Sequence, residues 1–309
     1  MLLATVFSFV CLETNHLKSL GVIARLLLYP KKRFLFMDVK KVLKEQNFIF
    51  KKAFGQNFLT DEKLLASVVE KSGIDGNTTV LEIGVGGGTL TREIAKVAKR
   101  VVGFEIDKNL KPVLDKTLAE FSNVELVFED VMKVSMSKIE ELLGDNYVLI
   151  ANLPYYITTP IIMRFIEDAT KVKSIVITIQ KEVAERIVAK EKSADYGSIT
   201  VGINAVADSE IICYLGRELF YPAPNVDSAV VKIDLSPNKY NINDKKAFRL
   251  LVKNAFAMRR KTLVNNLMKG YGVSREIAEG YLTALNLPIT ARGEELSVEQ
   301  FVNLSNLIG

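Results

Sequence analysis

Four short apolar runs follow one another between residues 79 and 152, and each closes on a residue with chemistry to offer. Thr79-Val80-Leu81-Glu82-Ile83 runs into Gly84, and Val101-Val102-Gly103-Phe104 into Glu105. Val124-Glu125-Leu126-Val127-Phe128 runs into Glu129-Asp130, and Tyr147-Val148-Leu149-Ile150-Ala151 into Asn152. Runs of this length, separated by amphipathic stretches, read as buried strands of an α/β sheet. Ligands of open α/β sheets bind at the carboxyl edge of the strands. Gly84, Glu105, Asp130 and Asn152 are therefore expected at one edge of one sheet. Further strand patterns at 174–180, 211–215 and 228–234 bring the total to seven and extend the α/β domain over residues 37–235.

The residues at that edge suggest a chemistry. Glycines in Gly84-Val85-Gly86-Gly87-Gly88-Thr89 let the chain turn sharply and approach a ligand with no Cβ in the way. Glu105 lies about 20 residues further on, where a dinucleotide fold places an acid against ribose hydroxyls. The loop lacks the Gly-x-Gly-x-x-Gly spacing that seats a pyrophosphate on a helix N-terminus, and it carries no basic residue. The expected cofactor is accordingly S-adenosyl-L-methionine, with a nicotinamide dinucleotide as the alternative. Asp130 offers a carboxylate to an adenine amino group. Asn152-Leu153-Pro154-Tyr155 suits alkylation of an amino group conjugated to a ring, which is a poor nucleophile because its lone pair is delocalised. The Asn152 side-chain oxygen and a backbone carbonyl of Leu153 or Pro154 would hold the N–H groups. Pro154 stiffens the turn, and Tyr155 offers a flat face to a planar base. Asn and Pro are also ordinary turn residues, so the upstream strand ends carry the argument.

Together with Phe54-Gly55-Gln56-Asn57-Phe58-Leu59, Gln180-Lys181-Glu182-Val183-Ala184, Tyr196-Gly197, Phe220-Tyr221-Pro222-Ala223-Pro224-Asn225-Val226-Asp227-Ser228 and Arg259-Arg260-Lys261-Thr262-Leu263, these motifs give a specific resemblance. From about Lys51 to the C-terminus the chain resembles the small-subunit ribosomal RNA adenine dimethyltransferases. That family converts two adjacent adenosines of a 3′-terminal hairpin loop into N6,N6-dimethyladenosine. The resemblance implies a Rossmann-like, seven-stranded S-adenosylmethionine-dependent methyltransferase sheet with its last strand antiparallel, followed by a small all-helical C-terminal domain. It implies that Asn57, Leu59, Gly84, Glu105, Asp130 and Asn152 contact the cofactor. Asn152, Leu153, Pro154 and Tyr155 would form the acceptor site. Phe220 would be a second stacking face, although an aromatic between two apolar strands ordinarily packs. Leu153 stands where many singly methylating amino methyltransferases carry Pro and is expected to leave room for a second methyl. The implied partners are small-subunit rRNA and the immature small ribosomal subunit, met by a monomer in the cytoplasm, with no membrane. Three other readings stay open: a large-subunit rRNA adenine methyltransferase conferring macrolide resistance, a non-catalytic factor in ribosome assembly or transcription, and a protein or small-molecule methyltransferase, which would share the sheet but has no need for a basic helical domain. Arg259-Arg260-Lys261-Thr262-Leu263 and Leu153 favour the small-subunit group.

Residues 236–241 read as a polar linker, and 242–309 as short helices with Ala247, Leu250, Leu251, Asn254 and Met258 on one face. Nine basic residues against Asp244 alone fall between Lys239 and Lys269. Lys40, Lys41, Lys44, Lys51 and Lys52 form a second basic stretch, and both are candidate RNA contacts, since Lys and Arg contacts to phosphate dominate nucleic-acid affinity. Net charge is no such evidence, because residues 1–36 hold +4 of the +5. Cys11 and Cys213 offer no metal spacing and no disulfide framework, which fits a reducing compartment. His16, the sole histidine, lies outside the resemblance, so no metal is expected. The apolar run from Leu2 to Leu12 is too short to span a bilayer. Residues 1–36 read as an upstream extension, with Met37 as the functional start. A protein beginning at Met37 is expected to fold, bind cofactor and dimethylate small subunits as the full chain does. A salt-sensitive loss of RNA affinity in that protein would make the extension a functional arm.

Overall fold

Valine- and isoleucine-rich runs, apolar on both faces, commit the centre of the chain to a sheet covered by helices on each side. The strands are β1 (Phe58–Leu59), β2 (Thr79–Ile83), β3 (Arg100–Phe104), β4 (Val124–Val127), β5 (Tyr147–Asn152), β6 (Val172–Gln180), β7 (Ala207–Leu215), β8 (Phe220–Tyr221) and β9 (Ser228–Leu235). This computed structural model describes residues 38–51, 55–59, 61–236 and 239–309. The extension 1–36, Lys52 of the basic stretch, Phe54 of the glycine-asparagine motif and Pro237-Asn238 of the linker lie outside the described residues.

Seven strands form one sheet in the order β4-β3-β2-β5-β6-β9-β7. Neighbours from β4 to β6 are parallel, and β9 runs antiparallel to both β6 and β7. The seven strands are those expected from the sequence, and the antiparallel last strand is the one the family resemblance implies. The β1–β8 ladder is an addition: two residues on each side, too short to show a period, pair Phe58 with Tyr221 and Leu59 with Phe220. Local signals set the helix bounds. Helix Glu62–Ser72 begins on Asp61, whose carboxylate accepts the Lys63 and Leu64 N–H groups, and stops at Gly73 with φ +79°.

Leu81, Val102, Leu149, Ile162, Phe165, Ile175 and Ile177 belong to the core of the sheet region, every one of them nearly inaccessible. A second apolar cluster lies in the C-terminal part, where helices Lys245–Ala255, Leu263–Tyr271, Arg275–Ala284 and Val298–Ile308 gather around Leu251, Leu263, Leu267, Leu282 and Phe301. Tyr196, Val201 and Ala205, which precede β7, share this cluster. The Tyr196 hydroxyl donates to the Leu296 carbonyl at 2.8 Å, so the helical part is tied to the chain leading into the sheet. One detail corrects the sequence reading. The buried stripe of helix 245–255 is Phe248, Leu251, Val252 and Ala255, while Leu250 is 47% exposed. Phe248 brings the larger apolar surface, which rotates the helix away from the expected face. Among the described residues, no helix is long and apolar enough to cross a membrane.

Candidate active site

The strand order reverses between β2 and β5, and a reversal of this kind opens a crevice at the carboxyl edge. Register places the strand ends within it. Ile83 pairs with Phe104 on one side and with Ala151 on the other, and Phe104 pairs with Val127. Gly84 and Asn152 therefore leave adjacent strands side by side. Backbone bonds extend the ladder by one residue, Gly84 N–H to the Phe104 carbonyl at 2.8 Å and Glu105 N–H to the Val127 carbonyl at 3.0 Å. A cleft of about 120 Å³ opens there, and Asn57, Leu59, Gly84, Glu105, Asp130 and Asn152 all line it. Leu153 and Pro154 line it as well; Tyr155 and Phe220 do not.

The glycine loop is shaped by what passes close to it. Gly84 (φ +78°) and Gly86 (φ +57°) occupy the left-handed region. A Cβ on Gly86 would sit 2.9 Å from the Phe58 ring, and one on Gly84 would sit 3.1 Å from Leu153 Cδ2. The loop is pinned from below by Glu105, whose two carboxylate oxygens accept the Gly86 and Asp107 N–H groups, each at 2.8 Å. Burial pushes the Glu105 carboxyl up, and the two backbone donors pull it back. Asp130 starts the next turn by accepting the Met132 N–H at 3.0 Å.

Charge sets what the cleft can hold. Glu82, Glu105, Glu129 and Asp130 line it, Glu82 in its neutral form, and among the described residues no Lys or Arg does. Such a surface repels a diphosphate and suits a ligand with positive charge. The glycines, the acids and the apolar floor of Ile83, Leu90 and Ile161 therefore fit a nucleoside carrying a cationic tail.

At the far end, the Asn152 amide N–H makes one long bond to the Asn57 carbonyl, 3.4 Å, and its side-chain oxygen has no donor among the described residues. The Pro154 carbonyl is occupied, accepting Ile157 N–H and Thr158 Oγ1, both at 3.1 Å. Of the two carbonyls considered for the acceptor site, Leu153 is thus the one left for a ligand. Tyr155 is half-buried; its hydroxyl shares a 2.7 Å hydrogen bond with Ser228, and burial raises its pKa against that bond. Phe220 is 5% exposed, packed where β8 meets Leu59 of β1. The exposed aromatic on the lining is instead Tyr156, at 65%.

Sequence reasoning passed over Asp107, Glu82 and Tyr156. Asp107, 2% exposed, accepts Lys51 Nζ at 2.8 Å, Gln56 Nε2 at 3.2 Å and Asn109 N–H at 3.1 Å. It fastens the segment carrying Asn57 and Leu59 to the end of β3. Asp107→Ala should loosen that segment. The expected result is several-fold faster limited proteolysis between residues 38 and 59, with the global unfolding midpoint changed far less. Equal cleavage rates would show that the aromatic packing of Phe48, Phe50 and Phe58 holds the segment by itself.

Comparison with known proteins agrees with this geometry. The ribosomal RNA adenine dimethylase family matches residues 47–309. The ribosomal RNA small subunit methyltransferase A of Clostridioides difficile (strain 630) is 41% identical over 273 residues, 87% of this chain and 94% of that protein. The protein of the same name from Bacillus mycoides (strain KBAB4) is 40% identical over 278 residues, with the same coverage. Among solved structures, a dimethyladenosine transferase from Plasmodium falciparum shares the fold with a TM-score of 0.69 at 24% identity, over 80% of this chain and 95% of that one. The 23S rRNA methyltransferase ErmE matches with a TM-score of 0.63 at 25% identity, over 81% of this chain and 98% of that one.

Proposed function

This chain belongs to the ribosomal RNA adenine dimethylase family, and from that premise we propose that it dimethylates N6 of two adjacent adenosines in the 3′-terminal hairpin loop of small-subunit rRNA. The methyl donor is S-adenosyl-L-methionine, and the substrate is the immature small subunit. The observation that carries this reading is the juxtaposition of Asn152 and Leu153 with the acid-lined cleft of Gly84, Glu105 and Asp130. The small-subunit substrate is preferred because relatives at about 40% identity are named for that subunit, whereas ErmE stands at 25%.

When bound, S-adenosyl-L-methionine supplies an activated methyl on a good leaving group, so no metal is required. The protein's part is placement. Glu105 would hold the ribose and Asp130 the adenine amino group, while Asn57 and Leu59 would close the cleft from the N-terminal side. Asn152 Oδ1 and the Leu153 carbonyl would accept the two N–H groups of the target amine and so orient its lone pair. An unstacked loop adenosine reaches them more cheaply than a paired one. Tyr155 steadies the ring, its position fixed by Ser228. The second face is assigned to Phe220 by the family resemblance, although its ring is packed against β1 here. No strong base is needed, because the alkylated nitrogen is acidic enough to release its proton to water. Exposed Lys245, Lys246, Lys253, Arg260, Lys261 and Lys269 contact the rRNA backbone. Lys239, Arg249 and Arg259 have carboxylate partners in Asp208, Glu167 and Glu294.

The direct test incubates the protein with labelled S-adenosyl-L-methionine and small subunits that lack the modification, followed by nucleoside analysis. N6,N6-dimethyladenosine confined to the 3′-terminal hairpin is the expected product. Label in large-subunit rRNA, or none at all, rejects the proposal. Glu105→Ala should weaken cofactor affinity about tenfold or more, since a hydrogen bond to a charged group is worth about 1.5–3 kcal/mol, and leave RNA affinity in place. Titration calorimetry reads both, and unchanged cofactor affinity would remove Glu105 from the site.

A further inference from the structure

A second cavity lies on the same carboxyl edge, one strand beyond the cleft. Gln180 ends β6, Asp227 precedes β9, and Arg217 follows β7; these line it with Lys181, Asn225, Val226, Glu182 and Glu185. Its volume is about 450 Å³. Asn152 pairs with Thr178 in the sheet, and Gln180 is two residues further along β6. From strand spacing and rise, Gln180 and Asn152 are roughly 8 Å apart. A hydrogen bond joins the two places, because Tyr155 of the acceptor site holds Ser228, which pairs with Gln180.

We propose that this cavity is a base-binding subsite for the nucleotide that adjoins the target adenosine, which rests on the function proposed above. Three observations point to a base rather than a phosphate. The lining holds three carboxylates, Glu182, Glu185 and Asp227, against Lys181 and Arg217, so it offers no excess of positive charge. Glu182 pairs with Arg186 at 2.7 Å, Glu185 lies 4.0 Å from Lys181, and Asp227 accepts the Arg217 N–H at 3.2 Å. The amides of Gln180 and Asn225 present donors and acceptors together, the pattern that reads the N6 and N7 edge of adenine. Beside the lining, Tyr214 near the end of β7 is 57% exposed, with Nζ of the lining residue Lys181 5.5 Å from its ring centroid. An exposed aromatic with a cation beside it is a stacking platform for an unpaired base.

The spacing adds a requirement on the substrate. The Cα atoms of Asn152 and Gln180 stand roughly 8 Å apart, more than twice the ~3.4 Å step between stacked bases, so bases held by these two residues would be splayed rather than stacked. A loop permits that and a duplex does not. The neighbouring adenosine would thus be held open while its partner is methylated.

The test uses the full chain and unmodified small subunits in which one adenosine of the target pair is changed to guanosine by mutation of the rRNA. Guanine replaces the amino donor with a carbonyl acceptor. The wild-type protein should transfer the first methyl to the remaining adenosine about tenfold more slowly than to the same adenosine in the unmutated pair. A Gln180→Ala/Asn225→Ala double variant should bring the two substrates within about twofold, with the loss on the unmutated pair and cofactor affinity unchanged. Equal wild-type rates on both substrates would overturn the subsite and leave the methyltransferase reading standing. So would a double variant that still discriminates. Absence of transfer to either substrate by the wild-type protein would overturn both.

Discussion

Asn152→Ala is expected to lower the rate of the first methyl transfer by about 10²-fold or more while the protein stays folded. Loss of a group that positions a reacting atom costs that much because the amine is then free to sit away from the line of attack. Little stability is at stake. Asn152 is half-exposed at the end of its strand, and its one bond within the protein is the long 3.4 Å contact to the Asn57 carbonyl. A surface change of this kind stays within about 0.5 kcal/mol. Asn152→Asp keeps an acceptor oxygen in the same place and should retain more activity than the alanine variant. Single-turnover transfer at saturating cofactor and RNA makes the measurement, beside thermal unfolding of each variant. Wild-type transfer by a folded Asn152→Ala protein would sink the role given to this side chain.

The placement of that residue was readable before the fold was known. Order along the chain and apolar run length identify parallel strands, and parallel strands deliver their ends to one edge, so Gly84, Glu105, Asp130 and Asn152 had nowhere else to meet. What escaped the sequence depends on contacts between distant segments. The two-residue β1–β8 pair is shorter than any detectable period, and it draws Phe220 into packing opposite Leu59. Tyr155 and Tyr156 are adjacent and chemically alike, and only the start of the helix decides that Tyr156 projects at the cleft while Tyr155 reaches Ser228. Leu250 looks like core by type, but the larger Phe248 takes the buried direction. Asp107 is one acid among 36 until Lys51 and Gln56 converge on it.

Glu82 is the least legible of these residues and leads to a large effect on stability. It sits in mid-sheet between Gly103 and Ile150, fully inaccessible, and neither carboxyl oxygen completes a hydrogen bond among the described residues. Burial pushes its pKa up to about 8, the nearby Glu105 adds to the rise, and the Thr91 hydroxyl opposes it. The folded chain therefore keeps a proton that the unfolded chain, with an ordinary value of 4.5, has already lost. Where the folded state binds more protons, stability falls as pH rises. The loss runs through the window from 4.5 to about 8 and levels off above it. Its full size is on the order of 5 kcal/mol. Glu82→Gln keeps the shape and cannot ionise, so the difference in stability between the two proteins should grow in favour of the variant across that window. Denaturant unfolding at a series of pH values measures it, with all other titrating groups common to both proteins. Parallel stability curves would show that Glu82 is ionised in the folded state. The same argument reaches function, because Glu82 lines the acid-rich cleft. A cation seated there favours the carboxylate, so cofactor binding below about pH 8 should release a proton in the wild-type protein and not in Glu82→Gln. Calorimetric titration in buffers of different ionisation enthalpy separates the two cases.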